Sequence, residues 1–180
     1  MSGSGRARVE LRPLTALDRD PFIAAMRASE ALHAPWLTTP TTPEAFNELL
    51  ERTRGESFES LLACRRDDDA IVGFFNVSQI IRGALQSAFL GYGAVAEHAR
   101  RGYMSEALEL VLRRAFDELR LHRLEANIQP GNRASIALVR GCGFQREGFS
   151  PRYLKIGGRW RDHERWAIRV EEWRLRRARS

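Results

Sequence analysis

His98-Ala99-Arg100-Arg101-Gly102-Tyr103-Met104-Ser105-Glu106-Ala107 is the stretch on which the reading of this chain turns. Ahead of it, residues 86–95 read as a strand. Behind it, Met104, Ala107, Leu108, Val111, Leu112, Ala115, Phe116 and Leu119 recur in steps of three and one. That spacing draws one apolar stripe down a helix of about 3.6 residues per turn. A helix that starts after Arg-Arg-Gly offers unsatisfied backbone N–H groups, the positive end of its dipole and two guanidinium groups. Such a place suits the phosphates of a nucleotide-like ligand, and Gly102 lets the backbone approach one closely. An ordinary helix start after a surface loop would use the same residues, so this stretch alone leaves both readings open.

Outward from there, residues 9–14 alternate as a first strand. Asp20-Pro21 and Thr42-Pro43 each carry the cap-then-proline signature of a helix start. Phe22, Ile23 and Met26 would bury the first of these helices, and Phe46, Leu49 and Leu50 the second. Pro35, Trp36 and Pro40 make the linker between them a shaped loop. Residues 57–65, 70–80 and 86–95 form an antiparallel meander, and residues 123–128 a fifth strand. Asn132 caps a short helix that stops at Gly141 and Gly143. Residues 144–149 and 160–170 close the chain around Tyr153, Lys155 and a Gly157-Gly158 turn.

The expected fold is a single α/β (α+β) domain over residues 1–180, with residues 1–8 and 172–180 flexible. Its mixed, mostly antiparallel central sheet has about seven strands, flanked by about four helices. The long helix crosses from strand 4 to strand 5, which makes that pair parallel. A cleft then opens at the carboxyl end of strand 4, where ligands tend to bind.

Composition narrows the class. Of 180 residues, 43% are hydrophobic, and no apolar run is long enough to cross a bilayer. The opening Met1–Arg6 segment lacks the apolar core of a secretory signal, so a cytoplasmic setting is expected. Cys64 and Cys142 show neither metal-like nor CxxC spacing. Twenty-nine basic residues against 23 acidic give a net charge of +6, which favours acidic partners, though Lys155 is the only lysine. The basic residues scatter, save for a run over residues 174–179 that reads as a frayed end or as a docking strip for nucleic acid or ribosome. His33, His98, His122 and His163 are dispersed and read as surface or packing residues. Neither metal catalysis nor a Ser-His-Asp triad is indicated. Asn132 and Ser135 fit a plain helix cap; they would also fit hydrogen bonds to a cofactor's linker or sulfur in the cleft.

Taken in order, several short motifs resemble the GNAT superfamily of acetyl-CoA-dependent N-acetyltransferases, and within it the RimJ/RimL branch. They are Leu90-Gly91-Tyr92, residues 101–108, residues 122–127, residues 130–135, Gly143-Phe144, Glu147-Gly148 and residues 158–163. The resemblance implies that the backbone amides of Arg100, Arg101, Gly102, Tyr103 and Met104 hold the CoA pyrophosphate. It implies that Val95 pairs with the pantetheine amides and that Asn127 and Asn132 help place the cofactor. Ser135 would lie near the sulfur and protonate the departing thiolate, because the tyrosine many relatives use there is replaced by Val139. A second departure is Arg100, where the superfamily carries a glycine. Glu97, Glu147 or a water relay through Tyr92 would serve as base.

The implied activity is direct transfer of acetyl from acetyl-CoA, without metal, to a primary amine in a ternary complex. The acceptor expected is the N-terminal amine of a protein or peptide, as for RimJ-type enzymes acting on ribosomal-protein alanine. A small-molecule amine, such as an amino-acid-like toxin or antibiotic, is the alternative. A non-catalytic CoA-binding or ribosome-docking domain is the third reading. Trp36, with Tyr92, would wall the acceptor side. No membrane or specific nucleic-acid partner is expected, and the chain would be a monomer or homodimer.

Overall fold

Local chemistry starts the elements. In the computed structural model, which describes residues 7–179, Thr42 accepts the Ala45 amide at 3.3 Å and Pro43 opens the helix it caps. In chain order the elements are β1 (Val9–Pro13), α1 (Arg19–Ala28), α2 (Glu30–His33), α3 (Pro43–Arg52), β2 (Phe58–Arg65), β3 (Ile71–Ile81) and β4 (Ser87–Ala94). There follow α4 (Tyr103–Arg113), β5 (Arg123–Ile128), α5 (Arg133–Gly141), β6 (Gln145–Ile156), β7 (Arg159–Arg169) and α6 (Val170–Arg179). The sheet runs β1-β2-β3-β4-β5-β7-β6.

Strand alternation sorts the core onto two faces. Leu61 and Ala63 of β2 pack with α4, α5 and α6, whereas Leu62 and Cys64 join Phe22, Met26 and Phe46 of α1 and α3. The stripe on α4 is buried at Ala107, Leu108, Val111 and Leu112. It continues through wider π turns at Arg114–Glu118, which bury Ala115 and Phe116.

The crossover makes β4 and β5 parallel, as expected. Their register holds only for Ser87↔Arg123, Ala88↔Leu124 and Phe89↔Glu125. From Leu90 onward β4 stays paired with β3 and parts from β5. This splay is the feature that positions the site.

Three details differ from expectation. The chain from 170 to 179 is helical, not loose. Trp173 is buried with its ring 5.3 Å from that of Phe116, Arg177 stacks on Trp173 at 4.7 Å, and Arg176 pairs with Glu109. One apolar anchor inside a basic run organises that end. At the other end, residues 1–6 lie outside the described part, while Arg8 is tied to α4 through its amide and Glu106. Finally, β6 runs on to Ile156 and forms one long hairpin with β7 across Gly157 and Gly158, both at positive φ.

Candidate active site

The turn before α4 is where the sequence places the diphosphate, although none of Arg100 to Met104 lines the cavity described below. Gly102 caps the helix at φ +83° and Arg100 sits at φ +61°. Both are left-handed, so Arg100 holds a conformation that costs an ordinary residue about 1–2 kcal/mol and glycine almost nothing. The amides of Ser105 and Glu106 both donate to the Gly102 carbonyl. Among the described residues, no backbone carbonyl takes up the amides of Arg100 to Met104. Arg100 and Arg101 are exposed beside them. Arg8 steadies the turn: it donates to the Arg101 carbonyl at 2.9 Å, pairs with Glu106 and lies 4.6 Å above the Tyr103 ring.

A cavity of about 690 Å³ fills the splay and continues onto the α1/α3 face of the sheet. Leu90, Gly91 and Tyr92 of β4 and Ala126, Asn127 and Ile128 of β5 wall the splay itself. Tyr92 faces the α4/α5 side, where its hydroxyl lies 2.5 Å from Ser135 Oγ. Burial pushes the Tyr92 phenol up, against the opposing hydrogen bond from Ser135, so the phenol stays protonated and suits a donor better than a base. The Asn132 side chain accepts the Ser135 amide at 3.1 Å, the plain cap expected of it, and both residues line the cavity. The Oδ1 atoms of Asn127 and Asn76, two further lining residues, are buried without a partner. Buried acceptors left open in this way fit a ligand that brings amide or amine donors.

Trp36 walls the α1/α3 side, where the Gln129 amide holds its carbonyl at 3.1 Å. Val139 is fully buried in the core, so nothing there can donate a proton.

Two expectations need correction. The Val95 amide donates to the Val72 carbonyl, so it has no N–H left to donate to a ligand, and its carbonyl already accepts the His98 amide. Ladder alternation turns the polar groups of Leu90 and Tyr92 away from β3 and toward the splay instead. Neither carboxylate considered as a base lines the cavity. Glu97 is exposed on the turn Ala96–His98. Glu147 is bound to Arg123, whose hydrogen bonds hold its carboxyl below the usual range.

Four lining residues were not read as site residues from the sequence: Glu48 and Arg52 on α3, Tyr153 on β6, and His163 on β7, which was read as a surface or packing histidine within the motif at residues 158–163. A lone ionisable residue on a helix or strand has no spacing to betray it. Only the register of the β6/β7 hairpin against β5 brings the last two to the cavity.

The comparisons with known proteins agree with this geometry. Residues 8–145 match the acetyltransferase (GNAT) domain family model. The chain is 42% identical over 123 residues to the probable N-acetyltransferase YjcK of Bacillus subtilis, covering 68% of this chain and 66% of that protein. It is 36% identical over 107 residues to the [ribosomal protein uS5]-alanine N-acetyltransferase of Escherichia coli, covering 59% of this chain and 55% of that protein. The chain thus spans between half and two-thirds of the length of these curated relatives. Among solved structures, Mycobacterium smegmatis RimJ in complex with CoA-disulfide superposes with a TM-score of 0.84 at 28% identity, covering 91% of this chain and 83% of that one.

Proposed function

The chain belongs to the GNAT acetyltransferase family, and from that premise we propose that it acetylates the N-terminal α-amine of a protein or peptide with acetyl-CoA. The observation that carries the reading is the β4/β5 splay. Its cavity runs past the Tyr92–Ser135 pair to Trp36, while the free amides and arginines of the turn before α4, which do not line that cavity, offer a separate anion-binding surface.

Bound acetyl-CoA supplies an acyl carbon activated by sulfur. The chain does the rest. The amides of Arg100 to Met104 and the two guanidiniums hold the diphosphate. The main chain of Leu90 and Tyr92 pairs with the linker amides, and Asn127 Oδ1 accepts a further N–H. A β4 amide stabilises negative charge on the carbonyl oxygen as it develops. Ser135 Oγ gives its proton to the departing sulfur and is kept supplied through Tyr92. Transfer is direct, because no cysteine lines the cavity among the described residues. Both thiols are buried, and burial pushes Cys64 up to about 11 and Cys142 up to about 12.

Support for a protein acceptor comes from the E. coli relative, named for acting on an alanine of a ribosomal protein. The test is thiol release from acetyl-CoA with alanine-first and serine-first peptides, the same peptides blocked at the α-nitrogen, and a polyamine. Release with free but not blocked peptides is expected. Release with the polyamine alone would assign a small-molecule acceptor. CoA binding without release on any acceptor would make the chain a non-catalytic binder.

A further inference from the structure

We propose that His163 is the base that takes the acceptor's proton, an inference that rests on the transfer reaction above. His163 lies on β7 opposite Ser150 of β6, and only 2% of it is exposed, yet it lines the cavity. Its Nδ1 is 2.9 Å from the Arg161 carbonyl. A carbonyl only accepts, so Nδ1 carries the hydrogen and Nε2 is left with a lone pair. The Tyr153 ring, tilted 61° at 6.1 Å, holds the imidazole from the β6 side.

The register fixes which side of the sheet this base serves. Asn127 pairs with Arg165 and Ala126 with Trp166 across β5 and β7. Trp166 and Ile168 point into the core beneath α4 and α5. By alternation His163 and Arg165 point the other way, toward the α1/α3 chamber. Ser135 and Tyr92 occupy the opposite face. Acid and base therefore flank the passage, one beside the departing sulfur and one beside the entering amine.

The other ionisable groups that share the cavity are Glu48 and Arg52 of α3, Tyr153 of β6 and Tyr92 of β4, with Asp162 and Arg165 adjacent on β7. Glu48 is the sole carboxylate on the cavity wall among the described residues, and it is exposed. An imidazole, with an ordinary pKa of about 6.5, is the stronger base and is matched to neutral pH. Burial lowers the His163 value further, which keeps the ring neutral and ready to accept.

The step balances. The amine nitrogen bonds to the acyl carbon and the carbon–sulfur bond breaks with its electron pair on sulfur. The nitrogen's proton passes to His163 Nε2 and on to water. The sulfur takes its proton from Ser135 Oγ, which is replenished through Tyr92 from solvent.

The test compares His163→Gln with the wild-type chain, on an acceptor the wild type turns over. We expect kcat to fall about a hundredfold. KM for acetyl-CoA should stay within about twofold, and the acidic limb of the kcat pH profile at saturating acceptor, which reports the bound complex and not the free amine, should disappear. A variant that keeps the wild-type kcat and its pH profile overturns the proposal. Should the variant not fold, NMR titration of the wild-type imidazole decides: coincidence with the kinetic limb supports the base role, and a clear mismatch overturns it. A wild type that binds CoA yet acetylates no amine removes the transfer reading itself, an outcome distinct from an active wild type with an indifferent His163.

Discussion

The Tyr92 hydroxyl sits 2.5 Å from Ser135 Oγ, joining two residues 43 positions apart, one on β4 and one in the first turn of α5. The Asn132 side chain accepts the Ser135 amide, and both Tyr92 and Ser135 line the cavity.

Ser135→Ala removes the proposed donor while leaving the mouth of the cleft intact. We expect kcat to fall about a hundredfold, with acetyl-CoA affinity within about twofold of the wild type. Tyr92→Phe should cost less, because Ser135 can still donate. The double variant should be little worse than Ser135→Ala alone, since both residues act on one proton. Steady-state kinetics with calorimetric CoA titration checks all three, and a wild-type kcat in Ser135→Ala would reject the donor role.

Arg100 holds a backbone conformation suited to glycine, and its side chain is exposed. Arg100→Gly should therefore separate two effects. Relief of the left-handed strain, partly offset by a freer unfolded chain, should raise stability by about 1 kcal/mol or less. For a domain of this size that is a rise in Tm of roughly 2–4 °C at most. CoA affinity should fall, and the fall should shrink as salt is raised. A lower Tm in the variant would contradict the strain argument.

Trp173 anchors α6 against Phe116 and is 2% exposed. Trp173→Ala should destabilise the domain by about 3–5 kcal/mol. Arg174→Ala, on an exposed position of the same helix, should cost almost nothing. Denaturant unfolding measures both, and near-equal midpoints would mean that α6 does not pack as described.

His33 and His163 are both held below the ordinary imidazole value, chiefly by burial. Unfolding frees them to take protons at about pH 6.5, where the native protein keeps them neutral. The unfolded state then binds more protons, so stability should fall as pH drops from about 6.5 toward the native values and stay level above it. Tm measured across this range should show the decline, and His33→Asn should make it shallower. An unchanged slope would show that His33 carries no part of it.

Much of the fold was legible because it rests on local, periodic signals. The stripe from Met104 to Phe116, the Thr42-Pro43 cap and the crossover between β4 and β5 were readable, whereas Asp20-Pro21 was not the helix start it suggests, because α1 already begins at Arg19. The left-handed turn before α4 was readable at Gly102, because glycine is the residue such a turn favours. What escaped lies across register. Nothing in the sequence tells that the Val95 amide is spent on Val72, or that Arg123 captures Glu147. His163 gains its place only when β7 pairs with β5 on one side and β6 on the other. Trp173 was hidden by the arginines around it.

The claim beneath all of this is that the amides and arginines before α4, with the β4/β5 splay, hold CoA. Calorimetric titration of CoA into the folded chain tests it most directly. The account predicts saturable uptake at a single site per chain, weakened by salt and abolished in Gly102→Val, where a β-branched residue cannot take φ +83° without strain. Folded protein that takes up no CoA, or a Gly102→Val variant that binds it as the wild type does, would contradict the account.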